Sequence, residues 1–135
     1  MSGTWREPAA VAAGGAVGAL ARHAVTPAGP AGRGFPWQVL AVNVAGCALI
    51  GVLMVLTAER GRLTHPLLRP FLGVGVLGGF TTFSTYAAGV AQLLDRQEAA
   101  TALAYVAATT VAALGAVWAA AALTRALLDR RERAA

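Results

Sequence analysis

The sequence predicts an all-α membrane protein with four transmembrane helices, the third of them broken near its middle. Of its 135 residues, 57% are hydrophobic and only 13% are charged, and the mean hydropathy is +0.62. Soluble domains carry about a quarter charged residues, so this composition argues against a water-soluble enzyme. The apolar residues form long runs, and a helix needs about 20 of them to cross a bilayer. We therefore expect a single transmembrane domain over residues 1–135.

The charged residues support a membrane location. All eleven basic residues are arginine, and six acidic residues leave a net charge of +5. The arginines lie mainly in short breaks between apolar runs, which is typical of membrane orientation signals rather than of a nucleic-acid-binding face. The single cysteine, Cys47, lies inside an apolar run and cannot form an internal disulfide. We expect a multi-pass protein of the cell membrane that binds no nucleic acid.

The first predicted span covers about residues 9–25 and ends before a Thr-Pro pair. Gly14 and Gly18 lie four residues apart, a spacing that lets helix backbones approach closely in lipid. A cleavable signal peptide is the alternative, but this segment has no leucine-rich centre. Arg22 and His23, followed by helix breakers, also do not resemble a small-residue cleavage site. A retained helix is favoured.

Three further spans follow. The second covers about residues 36–57, because Pro36 suits a first helical turn and Trp37 suits the membrane interface. The third covers about 67–94 and the fourth about 99–123, and a charged tail over 124–135 completes the chain.

The third span contains the strongest functional signal, the nine-residue run GGFTTFSTY that begins at Gly78. It contains two glycines and four Ser/Thr hydroxyls at mid-membrane depth. Paired glycines with adjacent β-branched threonines predict a local break in the helix. Carbonyls left open at such a break are tolerated only where they are buried in protein, face water or coordinate an ion. Phe83 and Tyr86 are three residues apart, so their rings share a face if the helix resumes there.

Polar residues in the other spans are the remaining candidates. Asn43 in the second span is either an interhelical hydrogen-bond partner or a donor to a ligand. Tyr105 and Thr109 place two hydroxyls on one face of the fourth span, while Thr110 lies off that face and is expected to bond to its own helix. Arg22, near the end of the first span, is either an interface anchor or an anion-attracting charge.

Several function classes lose support because of what the spans lack. No Asp or Glu lies near the centre of any span, which argues against a small multidrug-resistance-type proton-coupled exporter, since such transporters need an intramembrane acid. No catalytic constellation is visible, so we do not expect an enzyme. A non-conducting assembly subunit would explain the small-residue faces but not Asn43 together with the broken third helix.

The chain resembles the CrcB/Fluc family of fluoride channels through three motifs. These are GGFTTFSTY in the third span, VNVAG around Asn43 and GGAVGALAR ending at Arg22. The resemblance implies a fluoride-selective passive ion channel that exports fluoride and lowers its cytoplasmic concentration. It also implies an antiparallel dual-topology dimer with two pores, each lined by both subunits, and a structural Na⁺ on the dimer axis.

The resemblance assigns roles to individual residues. The backbone carbonyls of Gly78 and Thr81 would hold the Na⁺. The pore-lining residues would be Asn43, Phe83, Ser84, Thr85, Tyr86, Tyr105 and Thr109. This sequence departs from the family pattern at Tyr86, which is often Phe, and at Ala113, which brings no hydroxyl to the fourth span.

Arginine placement leaves two kinds of dimer open. With four spans, eight arginines fall on the side of the two termini: Arg6, Arg60, Arg62, Arg69, Arg125, Arg130, Arg131 and Arg133. At most three, Arg22, Arg33 and Arg96, fall on the other side. A dual-topology homodimer is expected to have nearly balanced charge. The alternative is a heterodimer with a paralogous subunit of opposite orientation.

Overall fold

A computed structural model describes residues 5–26, 34–61 and 65–134 of the protein. Five helices follow one another along the chain: α1 (Arg6–Val25), α2 (Trp37–Met54), α3, α4 (Phe83–Asp95) and α5 (Ala99–Ala134). Helix α2 continues as one π-helical turn over Val55–Glu59. Helix α3 consists of a π-helical segment, Pro70–Leu77, and an α-helical turn, Gly78–Phe80.

The described residues form helices and no strands, as the sequence predicts. Three helical stretches are long and apolar enough to cross a membrane: Trp37–Glu59, Pro70–Asp95 and Ala99–Ala134. They correspond to the second, third and fourth predicted spans. Helix α1 is 20 residues long and contains the predicted first span, but it also carries Arg6, Glu7 and Arg22. These charges lower its hydropathy relative to the other three.

Residues 124–134 of the predicted charged tail belong to helix α5, which runs without interruption to Ala134. Its 36 residues make a helix about 54 Å long, well beyond the ~30 Å of a bilayer core. Ion pairs hold the extension against the end of α2. Arg125 donates two 2.6 Å hydrogen bonds to Glu59, and Arg60 pairs with Asp129 and Glu132. The hydrogen bonds from Arg125 hold the pKa of the Glu59 carboxyl below its ordinary value.

Glycines bring α1 against α3. A Cβ atom at Gly14 would overlap the carbonyl oxygen of Phe71, and one at Gly18 would overlap that of Val76. From the other side, a Cβ at Gly79 would overlap the carbonyl oxygen of Gly15. The small residues spaced four apart therefore mark a close backbone contact, as the sequence predicts.

Helix α2 packs along α5, and α4 closes the bundle over them. The core contains Leu93 of α4 together with Ala102 and Tyr105 of α5. Partly buried side chains from the start of α2, from the residues just before it and from α4 surround the core: Phe35, Val39, Leu40, Tyr86 and Val90. This arrangement places the break between α3 and α4 beside the middle of α2.

Candidate functional site

The predicted break in the third span lies at two threonines. Thr81 (φ −74°, ψ 160°) and Thr82 (φ −144°, ψ 117°) are extended, whereas Gly78 keeps helical angles. The break is thus confirmed, but the glycines do not form it. Gly79 instead provides the close contact with α1, and the β-branched threonines take the extended conformation that they favour.

Thr82 is the N-cap of α4. Its hydroxyl oxygen accepts a 3.1 Å hydrogen bond from the backbone N–H of Thr85 and donates a 2.9 Å bond to the Thr85 hydroxyl. Serine and threonine side chains at this position replace the hydrogen bonds that the first turn of a helix lacks. The hydroxyl of Ser84 lies 3.4 Å from the same oxygen. The threonine that ends one half of the broken span therefore starts the next half.

Asn43 of α2 holds the break from the side. Its Nδ2 donates a 3.1 Å hydrogen bond to the carbonyl of Thr82, and its Oδ1 accepts a 2.9 Å bond from the Thr82 N–H. The amide thus satisfies both backbone groups of a residue that is only 7% exposed. A carboxamide nitrogen has two hydrogens, so one N–H of Asn43 is not used in this pairing.

Carbonyl groups lose their helical donors at the break, among them those of Gly78 and Thr81. In an unbroken helix the N–H of Thr82 would bond to Gly78, and the N–H of Thr85 would bond to Thr81. These N–H groups are directed to Asn43 and to the Thr82 hydroxyl instead. The Thr81 carbonyl accepts a 3.1 Å hydrogen bond from Arg22 of α1. The segment therefore presents carbonyl oxygens to cations, and a guanidinium already lies against one of them.

A groove of about 410 Å³ runs between α2, α4 and α5 beside the break. We call it the polar groove after its amide and hydroxyl groups, although most of its lining surface is apolar. Its lining brings together five of the predicted site residues: Asn43, Thr81, Phe83, Tyr86 and Thr109. The other lining residues are Cys47, Ile50, Thr82, Thr110 and Ala113. The groove is open on one side.

Aromatic rings connect the polar groove to the core. Phe83 and Tyr86 lie on one face, with ring centroids 5.9 Å apart, as their spacing predicts. Tyr86 in turn contacts Tyr105 at 5.2 Å, and Tyr105 meets the edge of Phe35 at 5.3 Å. The Phe83 side chain is 80% exposed, so this chain alone does not enclose it.

Two hydroxyls in this region are buried without a hydrogen-bond partner in the described part of the chain. They are Tyr105 Oη and Thr109 Oγ1, from residues that are 0% and 8% exposed. Leaving such a group unsatisfied costs about 1–3 kcal/mol. Thr110 behaves differently, because it donates a 2.9 Å bond to the Val106 carbonyl of its own helix, as predicted. The two unpartnered hydroxyls are therefore candidate ligand donors.

The remaining predicted residues lie apart from the polar groove. Arg22 and Thr85 line a second cavity of about 320 Å³ on the other side of Thr82. Ser84 is exposed at the start of α4, and Gly78 is exposed on α3.

Sequence reasoning missed two residues of this site. Thr82 is the structural centre of the site. The available signal was a threonine at the start of a helix, three residues before Thr85, which is the spacing of an N-cap. Cys47 lines the polar groove one turn after Asn43. Its spacing from Asn43 was visible in the sequence, but the face that Asn43 presents to the site was not.

Comparisons with known proteins agree on one family. Residues 9–121 match the family model described as CrcB-like protein, Camphor Resistance (CrcB). Fluoride-specific ion channel FluC 2 of Thermobifida fusca is 54% identical over 130 residues, which cover 94% of each chain. Fluoride-specific ion channel FluC 1 of Streptomyces coelicolor is 53% identical over 92% of this chain and 80% of its own length. The FluC protein of Paracoccus denitrificans is 50% identical over 79% and 85%, respectively.

Proposed function

The chain belongs to the CrcB family, and on that premise we propose that it is a fluoride-selective passive ion channel of the cell membrane. Its role is to export fluoride and so lower the cytoplasmic concentration. The observation that carries the proposal is the polar groove, where Asn43, Phe83, Tyr86 and the unpartnered Thr109 hydroxyl meet beside the helix break.

The groove chemistry suits a small, strongly hydrated anion. Such an ion gives up water only where protein donors replace it, and amide N–H and hydroxyl groups are suitable donors. In the groove, the second N–H of Asn43 and the hydroxyl of Thr109 are available for that task. Tyr105 does not line the groove and packs against the ring of Tyr86. The positively polarised edges of the Phe83 and Tyr86 rings also attract an anion. Exclusion of larger halides would then depend on how narrow the pore becomes once a second subunit closes the groove.

We propose that α1 also crosses the membrane, which gives the chain four spans. Its glycine face packs on α3, which belongs to a stretch able to cross the membrane. Arg22 bonds to Thr81 at the break, so its charge is stabilised by a carbonyl and lies close to the second cavity. This position suits an anion-attracting role better than a simple interface anchor.

The open side of the polar groove is the reason to propose a second subunit. Phe83 is 80% exposed beside it, and an antiparallel copy would close the groove and supply a second wall to each of two pores. The arginine distribution is compatible with a homodimer and with a heterodimer that contains an oppositely oriented paralogue. Two of the arginines in that count, Arg33 and Arg62, lie outside the described residues.

Backbone oxygens at the break fit a structural Na⁺. Hard cations bind carbonyl oxygens, and the carbonyls of Gly78 and Thr81 have both lost their helical N–H donors. The Thr81 carbonyl, which accepts one hydrogen bond from Arg22, would then use its second lone pair for the ion. Gly78 is exposed on this chain, so a symmetry-related copy would bring a second pair of carbonyls to the same ion. The positive charge would offset the cost of holding an anion in a medium of low dielectric constant.

Flux from liposomes tests the proposed function. The purified chain is reconstituted with fluoride inside, at zero voltage and equal pH on both sides, and efflux is followed with a fluoride electrode. We expect efflux without a proton gradient, because the sequence has no acid from residue 9 to residue 55, and we expect chloride to be retained. Strict dependence on a pH gradient would indicate a proton-coupled exporter instead.

A second measurement interprets the case in which the purified chain gives no fluoride flux. Reporter fusions at the C-terminus show on which side of the membrane it lies. No flux together with cytoplasmic signal alone indicates a missing partner of opposite orientation, and co-expression with that paralogue must then restore flux. No flux together with signal from both sides of the membrane refutes the channel.

A further inference from the structure

Cys47 lies on the face of α2 that lines the polar groove. Asn43, Cys47 and Ile50 all contribute to the lining, and their i, i+4, i+7 spacing is that of one helix face. The cysteine is free and partly exposed. Its thiol is therefore set in the same wall as the Asn43 amide, one helical turn away.

A second lining residue, Thr109, indicates that the groove takes a ligand. Thr109 of α5 lines it as well, is 8% exposed and has no hydrogen-bond partner for its hydroxyl among the described residues. A buried hydroxyl is normally satisfied, since an unmade bond costs about 1–3 kcal/mol. A species passing through the groove can supply the missing bond. Such a species would pass along the lining that contains both Thr109 and Cys47.

We propose that Cys47 is a wall residue of the permeation path and the site at which soft, thiophilic metal cations block it. This inference rests on the proposed channel function. The other polar groups of the groove are amide and hydroxyl groups, which bind soft metals weakly, whereas a thiolate binds them strongly. Ile50 and Ala113, which follow in the same lining, offer a metal no competing ligand.

Methylmercury chloride is the probe that we suggest. The thiol proton leaves to the buffer and chloride departs as the S–Hg bond forms, so Cys47 acquires a methylmercury group in place of a hydrogen. No oxidant or reductant is needed. The added group occupies the groove next to Asn43. Since Cys47 is the only cysteine of the 135 residues, one label identifies one position.

The experiment uses liposomes that contain the full chain, with the partner subunit if conduction requires one. Fluoride flux is measured before and after treatment, and each protein is compared with its own untreated rate. Mass spectrometry of the same sample measures the labelled fraction. Excess dithiothreitol then removes the metal, which provides a reversal control without any variant.

A matched variant tests position rather than reactivity. Leu49 lies two residues further along α2, is 51% exposed and does not line the groove. Leu49→Cys in a Cys47→Ser background moves the thiol to another face of the helix at nearly the same depth. We expect this protein to be labelled and to keep its untreated flux. The Cys47→Ser protein is expected to be neither labelled nor inhibited.

Each outcome decides the question. Labelling of the natural chain with flux falling to that of protein-free liposomes, restored by dithiothreitol, supports the inference. Full labelling with unchanged flux shows that Cys47 does not line the path, and absence of labelling in a conducting protein shows that the thiol is not reachable. If untreated liposomes conduct no fluoride in any subunit combination, the channel function fails first, and this role of Cys47 fails with it.

Discussion

Replacing Asn43 by leucine removes the side chain that holds the helix break. Leucine is of similar size, so the change deletes hydrogen bonds with little change in volume. The two lost bonds are those between the amide and the backbone carbonyl and N–H of Thr82. Both backbone groups belong to a residue that is 7% exposed, so water does not readily replace the amide.

The size of the effect follows from counting unpaired groups. Each buried backbone group left unsatisfied costs about 1–3 kcal/mol, and two groups give about 2–6 kcal/mol. Domains are stable by only about 5–15 kcal/mol in total. We therefore expect a large loss of folding stability in addition to a loss of fluoride flux.

Unfolding in detergent, followed by tryptophan fluorescence, measures this loss. The matched control is Thr124→Val, which deletes a side-chain bond of 2.7 Å to Ala120 within one helix and leaves no backbone N–H unpaired. We expect that control to lose less than about 1.5 kcal/mol.

Asn43→Leu distinguishes two roles of the amide. If Asn43 served only as a donor to the permeating ion, its loss would reduce flux without reducing stability. If the variant unfolds within about 1 kcal/mol of the natural chain but has lost flux, Asn43 contributes only to permeation and the break is held in another way. If it loses both stability and flux, the amide holds Thr82 as the structure indicates. Unchanged stability together with unchanged flux would refute both roles.

Three further substitutions have specific expected effects on folding, flux or pH-dependent stability. Gly18→Ala puts a Cβ 2.8 Å from a backbone nitrogen of α3 and should abolish folded protein in size-exclusion chromatography, whereas Gly15→Ala, which meets nothing within 4 Å, should not. Phe83→Ile should leave a monodisperse protein with flux lower by up to about tenfold, because a ring edge contributes about 0.5–1.5 kcal/mol; unchanged flux would make Phe83 a packing residue. The pKa of Glu59 is lowered by hydrogen bonds from Arg125. The Glu59–Arg125 ion pair therefore contributes its full stabilisation at pH values above the ordinary glutamate pKa of about 4.3. This contribution is lost as the pH falls through the lowered pKa. The difference in thermal stability between the natural chain and Glu59→Gln should therefore shrink on acidification, and a difference that grows would contradict the assignment.

The sequence by itself determined the helical class, the three most apolar spans and the region of the break. Long apolar runs are a local property, and so is the i, i+3 spacing that places Phe83 and Tyr86 on one face. The small-residue spacing in the first span likewise predicted close helix packing, because only residues without a large side chain permit it. These features depend on neighbours along the chain and can be read without knowing which helices meet.

Only the tertiary structure decided which partners complete the site. Asn43 and Thr82 are 39 residues apart, and Arg22 and Thr81 are 59 apart, so no local pattern pairs them. The break lies at the threonines rather than at the glycines because α1 occupies the space beside Gly79 and Asn43 pairs with the Thr82 backbone. The residues of the charged tail continue α5, and Glu59 and Arg60, which lie 66 to 72 positions earlier in the chain, neutralise charges on it. Cys47 lines the groove for the same reason, since the face of an apolar helix that meets the site is fixed by packing and not by its own sequence.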